Sequence, residues 1–155
     1  MLEPEKSPFT IADLSEDTGF LMLQVSSLWA DHHDRAVKKY YALSHMQFSV
    51  LASVHWLVLY SGKQVTQTIL AHHTKISPMS ISQMLKVLEA KGYVCRTTHL
   101  TDIRAKAVEL TQQGKDLMDK AMKTIYDVDA KFFHVLGRDL KHFNRYMFQL
   151  LQAND

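Results

Sequence analysis

The apolar periodicity of the chain changes abruptly at Gly92, and that change constrains the fold of these 155 residues more than any other feature. Upstream, Ile81, Met84, Leu85 and Leu88 recur at spacings of three, four and seven, as on a helix with one buried face. Downstream, Tyr93-Val94-Cys95-Arg96-Thr97-Thr98 is β-branched and aromatic, and Ala105-Lys106-Ala107-Val108-Glu109-Leu110 alternates after a polar turn at His99 to Arg104. This predicts a helix over about Pro78–Lys91, closed by Gly92 at the left-handed C′ position, then a two-stranded hairpin. A shorter helix with Ile69 and Leu70 is predicted over Thr66–His73. Thr74-Lys75-Ile76-Ser77-Pro78 joins the two, with Ser77 as cap and Pro78 at the first helical position.

The rest of the chain reads as helix, in keeping with only five Gly and three Pro. Residues 1–14 hold two of the prolines and form an expected arm. From about Asp17 to Tyr40, Leu21, Val25, Leu28, Trp29 and Ala36 form a stripe in need of a partner. Ser44 and Gln47 have capping-box spacing ahead of a helix carrying Phe48, Leu51, Val54, Trp56 and Leu59, which ends at Ser61-Gly62. Thr111 caps a helix expected to reach about Leu136. Gly137 separates it from a last helix with Leu140, Phe143, Met147, Leu150 and Leu151 on one face. A 46% apolar, 22% charged composition supports one globular unit and excludes a disordered chain.

Two short helices joined by a tight turn and followed by a hairpin are the plan of a winged helix-turn-helix, whose second helix can enter a DNA major groove. With its apolar residues turned inward, the Pro78–Lys91 helix presents Met79, Ser80, Ser82, Gln83 and Lys86 outward. Gln pairs bidentately with adenine, hydroxyls serve bases or phosphates, and Lys reaches guanine or phosphate. The net charge of +2 hides a separation. Residues 61–106 hold Lys63, Lys75, Lys86, Lys91, Arg96, Arg104 and Lys106 against Glu89 and Asp102, a balance of +5, which leaves −3 on the remainder. The alternative is a solvated basic face on a helical protein-interaction module.

Leu43-Ser44-His45-Met46-Gln47-Phe48-Ser49-Val50-Leu51, Ile69-Leu70-Ala71, Leu88-Glu89-Ala90-Lys91-Gly92-Tyr93-Val94-Cys95-Arg96, Asp102-Ile103-Arg104 and Leu110-Thr111-Gln112-Gln113-Gly114 occur in that order. Together they resemble the multiple-antibiotic-resistance regulator (MarR) family. The resemblance covers nearly half the chain, from Leu43 to Gly114, with flanks that agree in plan only. It implies a mainly α fold: a winged helix-turn-helix with a small β-hairpin wing and long N- and C-terminal dimerisation helices in one intertwined domain. The expected divisions are an arm and dimerisation helix over 1–42, a DNA-binding region over 43–110 and dimerisation helices over 111–155.

The implied function is that of a homodimeric bacterial or archaeal transcriptional repressor on a pseudo-palindromic operator in double-stranded DNA, released by a small, often aromatic or phenolic, effector. Arg104 inherits a minor-groove role at the wing tip, with Asp102 orienting it, and Thr98 and Lys106 flank that tip as further DNA-binding candidates. Gln83 stands where many relatives have Arg, and Met79 lies among small polar residues, so the operator preference is this chain's own. Trp29, His33, Tyr40 and Tyr41 on the first helix and His55 on the second are the ligand-binding candidates, as aromatics and an imidazole suited to a planar acid.

Other chemistry finds little support. No Gly-x-Ser-x-Gly elbow or Gly-rich phosphate loop is present, so no catalytic residue and no cofactor is expected. Asp31-His32-His33-Asp34 and His72-His73 place imidazoles on adjacent positions, about 100° apart on a helix, and no HExxH occurs, so no metal site is expected. Cys95 beside Arg96 invites a redox reading, but a half-buried strand residue is favoured. A metal- or redox-responsive regulator of the same fold stays as the alternative. A lone cysteine, the lack of a signal segment and the lack of any apolar run near the roughly 18 residues of a membrane helix suit a cytoplasmic protein away from membranes.

Overall fold

The computed structural model describes residues 14–101 and 106–155. After a 3-10 turn at Leu14–Glu16, helix α1 runs from Thr18 to Tyr41, and the Asp17 carboxylate accepts from Phe20 N–H at 2.9 Å. Ala42 ends α1 in a left-handed conformation, φ 53°. Helix α2 (His45–Tyr60) starts with the full capping box: Ser44 Oγ accepts from Gln47 N–H at 3.2 Å, and Gln47 Oε1 accepts from Ser44 N–H at 3.1 Å.

Helices α3 (Gln67–Thr74) and α4 (Pro78–Ala90) follow, capped by Thr66 and Ser77. At the end of α4, Gly92 takes φ 76°, and Tyr93 N–H donates to Leu88 C=O at 2.9 Å, which lets the chain reverse into the sheet. Strands β1 (Val94–Thr98) and β2 (Lys106–Leu110) pair antiparallel, with Val94 opposite Leu110 and Thr98 opposite Lys106. Val108 N–H donates to Val65 C=O at 2.7 Å, tying this hairpin to the segment that leads into α3.

Helix α5 (Gln112–Phe133) is capped by Thr111 and packs its N-terminal turn on the Gly92–Tyr93 turn that follows α4. Gly114 is buried there, and a Cβ on it would lie 2.1 Å from Tyr93 C=O, so the close approach requires glycine. Helix α5 ends at Phe133, short of the expected Leu136. A 3-10 segment, His134–Asp139, crosses Gly137 at φ 47° before α6 (Leu140–Ala153). The apolar run through Leu136 continues the helical pattern, but the positive φ at Gly137 makes the chain unwind early.

One core joins the lobe built from α2 to β2 with α5 and the C-terminal half of α1. Leu51, Val54, Leu70, Ile81, Leu85, Leu88, Val108 and Met118 are all fully or almost fully buried, each aliphatic side chain contributing roughly 1.5–3 kcal/mol. Two residues expected in the α2 core lie outside it: Trp56 and Leu59 are 50% and 58% exposed. Helix α2 is apolar on most of its circumference, so the pattern could not select which residues face inward. Val50, Leu51, Val54 and Leu57 do so, and Trp56 turns toward His73 of α3. Along α1, Leu21, Val25 and Leu28 are exposed, and α6 buries no residue. No single helix among the described residues is long and apolar enough to cross a membrane.

Candidate nucleic-acid interface

The first turn of α4 is held by its own cap. Ser77 Oγ accepts from Ser80 N–H at 3.2 Å and donates to Ser80 Oγ at 2.9 Å, which leaves one O–H on Ser80. Gln67 Nε2 donates to Pro78 C=O at 3.1 Å, strapping the start of α3 to the start of α4. This fixes the angle between the two helices. With Ile81, Leu85 and Leu88 buried, Met79, Gln83 and Lys86 stand exposed on the opposite face, with Ser80 and Ser82 half-buried beside them. Met79 is 72% exposed.

The wing follows α4 directly, its first strand tied to the last turn of that helix by Arg96 and Glu89. Thr98 and Lys106 are exposed and paired at the far end of the hairpin, and just beyond them Leu100 N–H donates to Gln64 Oε1 at 2.7 Å, tying the strand-connecting loop to the segment before α3. Nothing in the sequence pattern marked Gln64 for this task. Asp102 and Arg104, expected at the wing tip, lie outside the described residues.

The regional charge of +5 overstates what is available to a ligand. Lys91 Nζ donates to Ala42 C=O at 3.1 Å, at the C-terminus of α1. Arg96 is half-buried with its Nε 3.4 Å from Glu89 Oε2. Lys75 pairs with Asp155, whose carboxyl is held below the usual carboxylate range chiefly by that lysine. Among the described residues, Lys63, Lys86 and Lys106 are the cations of this region outside any ion pair or carbonyl contact.

The five ligand-binding candidates fall into three places. Trp29 and His33 converge on α5, where Trp29 Nε1 donates to Asp129 Oδ1 at 2.8 Å and His33 Nε2 lies 2.7 Å from the same oxygen. Burial pushes the Asp129 carboxyl up, but these hydrogen bonds and the neighbouring imidazoles bring it below the usual range. His33 is 3% exposed, and its ring meets that of His45 edge-on, with centroids 5.1 Å apart. Burial and His33 push the His45 imidazole down, and the His45 N–H holds the Asp34 carboxyl low.

Tyr41 hydrogen-bonds Thr124 at 2.8 Å and Lys120 C=O at 3.1 Å, and with Tyr40 it lines a cleft of about 640 Å³ beside Tyr93 and Leu117. His55 lies in another cleft, of about 540 Å³, with Trp56, Tyr60, His73, Met122 and Tyr126. There Trp56 stacks on His73 at 5.2 Å and 18°, and burial lowers the His73 imidazole. The pattern of α2 placed Trp56 in the core, so its part in this cleft was missed. Among the described residues, no group of three or more His, Cys, Asp or Glu side chains could hold a metal ion. Cys95 is half-buried on β1.

A helix-turn-helix with a strapped, outward-facing second helix and an adjoining wing, carried on long terminal helices, defines a winged-helix transcriptional regulator. Known proteins agree. Residues 39–129 match the family model described as ArnR1-like, winged-helix domain. The uncharacterized HTH-type transcriptional regulator YdcH of Bacillus subtilis (strain 168) is 30% identical over 115 residues, covering 74% of this chain and 77% of YdcH.

Among solved structures, apo MarR from E. coli superposes with a TM-score of 0.68 at 20% identity, over 86% of this chain and 96% of that one. CouR from Rhodococcus jostii RHA1 bound to p-coumaroyl-CoA gives 0.76 at 23%, over 91% and 95%. The transcriptional repressor CouR bound to a 23-mer DNA duplex gives 0.76 at 24%, over 94% and 99%. The chain belongs to the ArnR1-like winged-helix family of HTH-type transcriptional regulators and shares the fold of MarR.

Proposed function

We propose that two copies of this chain bind a pseudo-palindromic operator and repress transcription, and that a small planar aromatic ligand releases them. The observation that carries the reading is the outward face of α4, where Met79, Ser82, Gln83 and Lys86 surround no core contact and the N-terminal turn is locked by Ser77 and Gln67. Ser80, Thr98, Lys106, Asp102 and Arg104 complete the proposed DNA-binding set. A second copy is called for by the uncovered apolar faces of α1 and α6. It would place two reading helices on half-sites about one helical turn apart.

For the ligand we favour the aromatic cleft around His55, Trp56 and His73, which lies between α2, α3 and α5, where an occupant would alter the seating of the lobe on the frame. CouR, of the same fold, binds p-coumaroyl-CoA. Tyr40 and Tyr41 offer a second aromatic wall. Trp29 and His33 are engaged with Asp129 and serve as the support between the two parts. Release requires the ligand to bind the DNA-incompetent form better than the competent one.

Bound duplexes enriched from genomic fragments supply the test. At the enriched site Gln83→Ala should cost about 1–3 kcal/mol, with little change on random duplex, and equal losses on both would refute base reading. Arg104→Ala should flatten the salt dependence by about one unit of slope. Phenolic acids and their CoA thioesters should release wild type, while Trp56→Ala should lose that response and keep DNA binding.

A further inference from the structure

The chemistry exposed on α4 selects among bases. Resting on the operator reading above, we infer that α4 reads A·T pairs, Met79 packing on a thymine methyl and Gln83 pairing with an adenine within about two base steps of it. In the first turn, Pro78 has no N–H, its carbonyl accepts from Gln67, and the Ser77 hydroxyl donates to Ser80 Oγ, which keeps one O–H. Besides that half-buried O–H, the turn presents to a base the thioether of Met79, 72% exposed. Gln83 stands four residues on, along the same face and about 6 Å further up the axis, which corresponds to about two base steps of 3.4 Å.

Among the described residues the Gln83 amide has no hydrogen-bond partner, so its donor and acceptor can together engage adenine N7 and N6. Helix α4 carries no guanidinium to fork onto guanine, and its one carboxylate, Glu89, sits at the far end against Arg96, away from any cytosine amine. Lys86 is the only cation on the face and lies about 10 Å beyond Met79, past the N-terminal residues that meet base edges, where phosphate is the natural partner. A thioether suits this use, since its flexible, polarizable chain follows a methyl without a hydrogen bond to satisfy.

The test uses the full-length protein and duplexes enriched from a random pool, with fluorescence anisotropy as readout. Enriched half-sites should carry A·T pairs at two positions. Replacing thymine by uracil at one position, which removes only the methyl, should weaken wild type about fourfold and leave Met79→Ala unchanged. Replacing adenine by 7-deazaadenine at the other should weaken wild type about tenfold and leave Gln83→Ala unchanged. Salt-dependent binding indifferent to both base changes, or enrichment of G·C pairs at those positions, would overturn the assignment while leaving the operator reading intact. Absence of any salt-dependent duplex binding would sink both.

Discussion

Residues 43–110 bury nearly all the aliphatic side chains that their helices turn inward, and the caps of α2, α3 and α4 are satisfied within a few residues of sequence. The outer helices behave differently. The N-terminal half of α1 exposes Leu21, Met22, Leu23, Val25 and Leu28, and α6 exposes Tyr146, Met147, Phe148, Leu150 and Leu151 without burying one residue. A strongly one-sided helix with its apolar side in water is unsatisfied by its own chain. The lobe therefore completes its core within one chain, whereas the ends leave apolar faces uncovered, which is the observation behind the proposed second copy.

The difference can be broken from the frame side first. Phe148→Asp with Leu151→Asp should turn a dimer into a monomer in sedimentation and weaken operator binding on the order of a thousandfold, because each lobe then binds without its tethered neighbour. A double variant that binds as tightly as wild type would mean that the lobe alone suffices. Next in size is the joint between the two regions. Gly114→Ala forces a methyl against Tyr93 C=O and should cost about 3 kcal/mol in urea unfolding, and a negligible loss would show that α5 can slide on the lobe.

Asp129→Ala removes the common acceptor of Trp29 and His33 and should cost about 2 kcal/mol, with Asp129→Asn milder because one acceptor survives. Smallest is the response to pH. His45 and His73 are held below their ordinary 6.5 in the folded chain. The unfolded chain thus binds protons first, and their contribution is intact above that value and lost as pH falls below it. Asp34 and Asp129, held below 3.8, lose theirs only in stronger acid. His45→Asn should therefore flatten the decline of Tm between neutral pH and about pH 5, and an unchanged decline would locate the sensitivity elsewhere.

Much of the fold was legible because its signals are local. Ser44 with Gln47, Ser77 before Pro78, Thr111 and Gly92 each act within one turn of their own position, and each forms the expected cap or stop, while Thr66, expected as the first residue of its helix, is its cap. What escaped the sequence depends on distant partners. Lys91 is spent on Ala42 and Lys75 on Asp155, so counting charges along the chain overestimated the cations on offer. Trp56 was misplaced because α2 is apolar nearly all round and periodicity carries no direction there. The grouping of Trp29 and His33 with Asp129, a hundred residues away, has no signature in spacing. Similarly, the exposed residues of α4 could be named in advance, but not that Gln67 occupies the Pro78 carbonyl and Ser77 engages Ser80, leaving Met79 at the front.

In the proposed complex two copies, joined through the terminal helices, present two reading faces to one duplex. Sedimentation velocity of the full-length chain with an enriched duplex, repeated across a series of salt concentrations, measures it directly. Two chains per duplex are expected, with an affinity that falls linearly on a log–log plot with salt, by about 0.9 per phosphate contacted. One chain per duplex, or an affinity indifferent to salt, would contradict it.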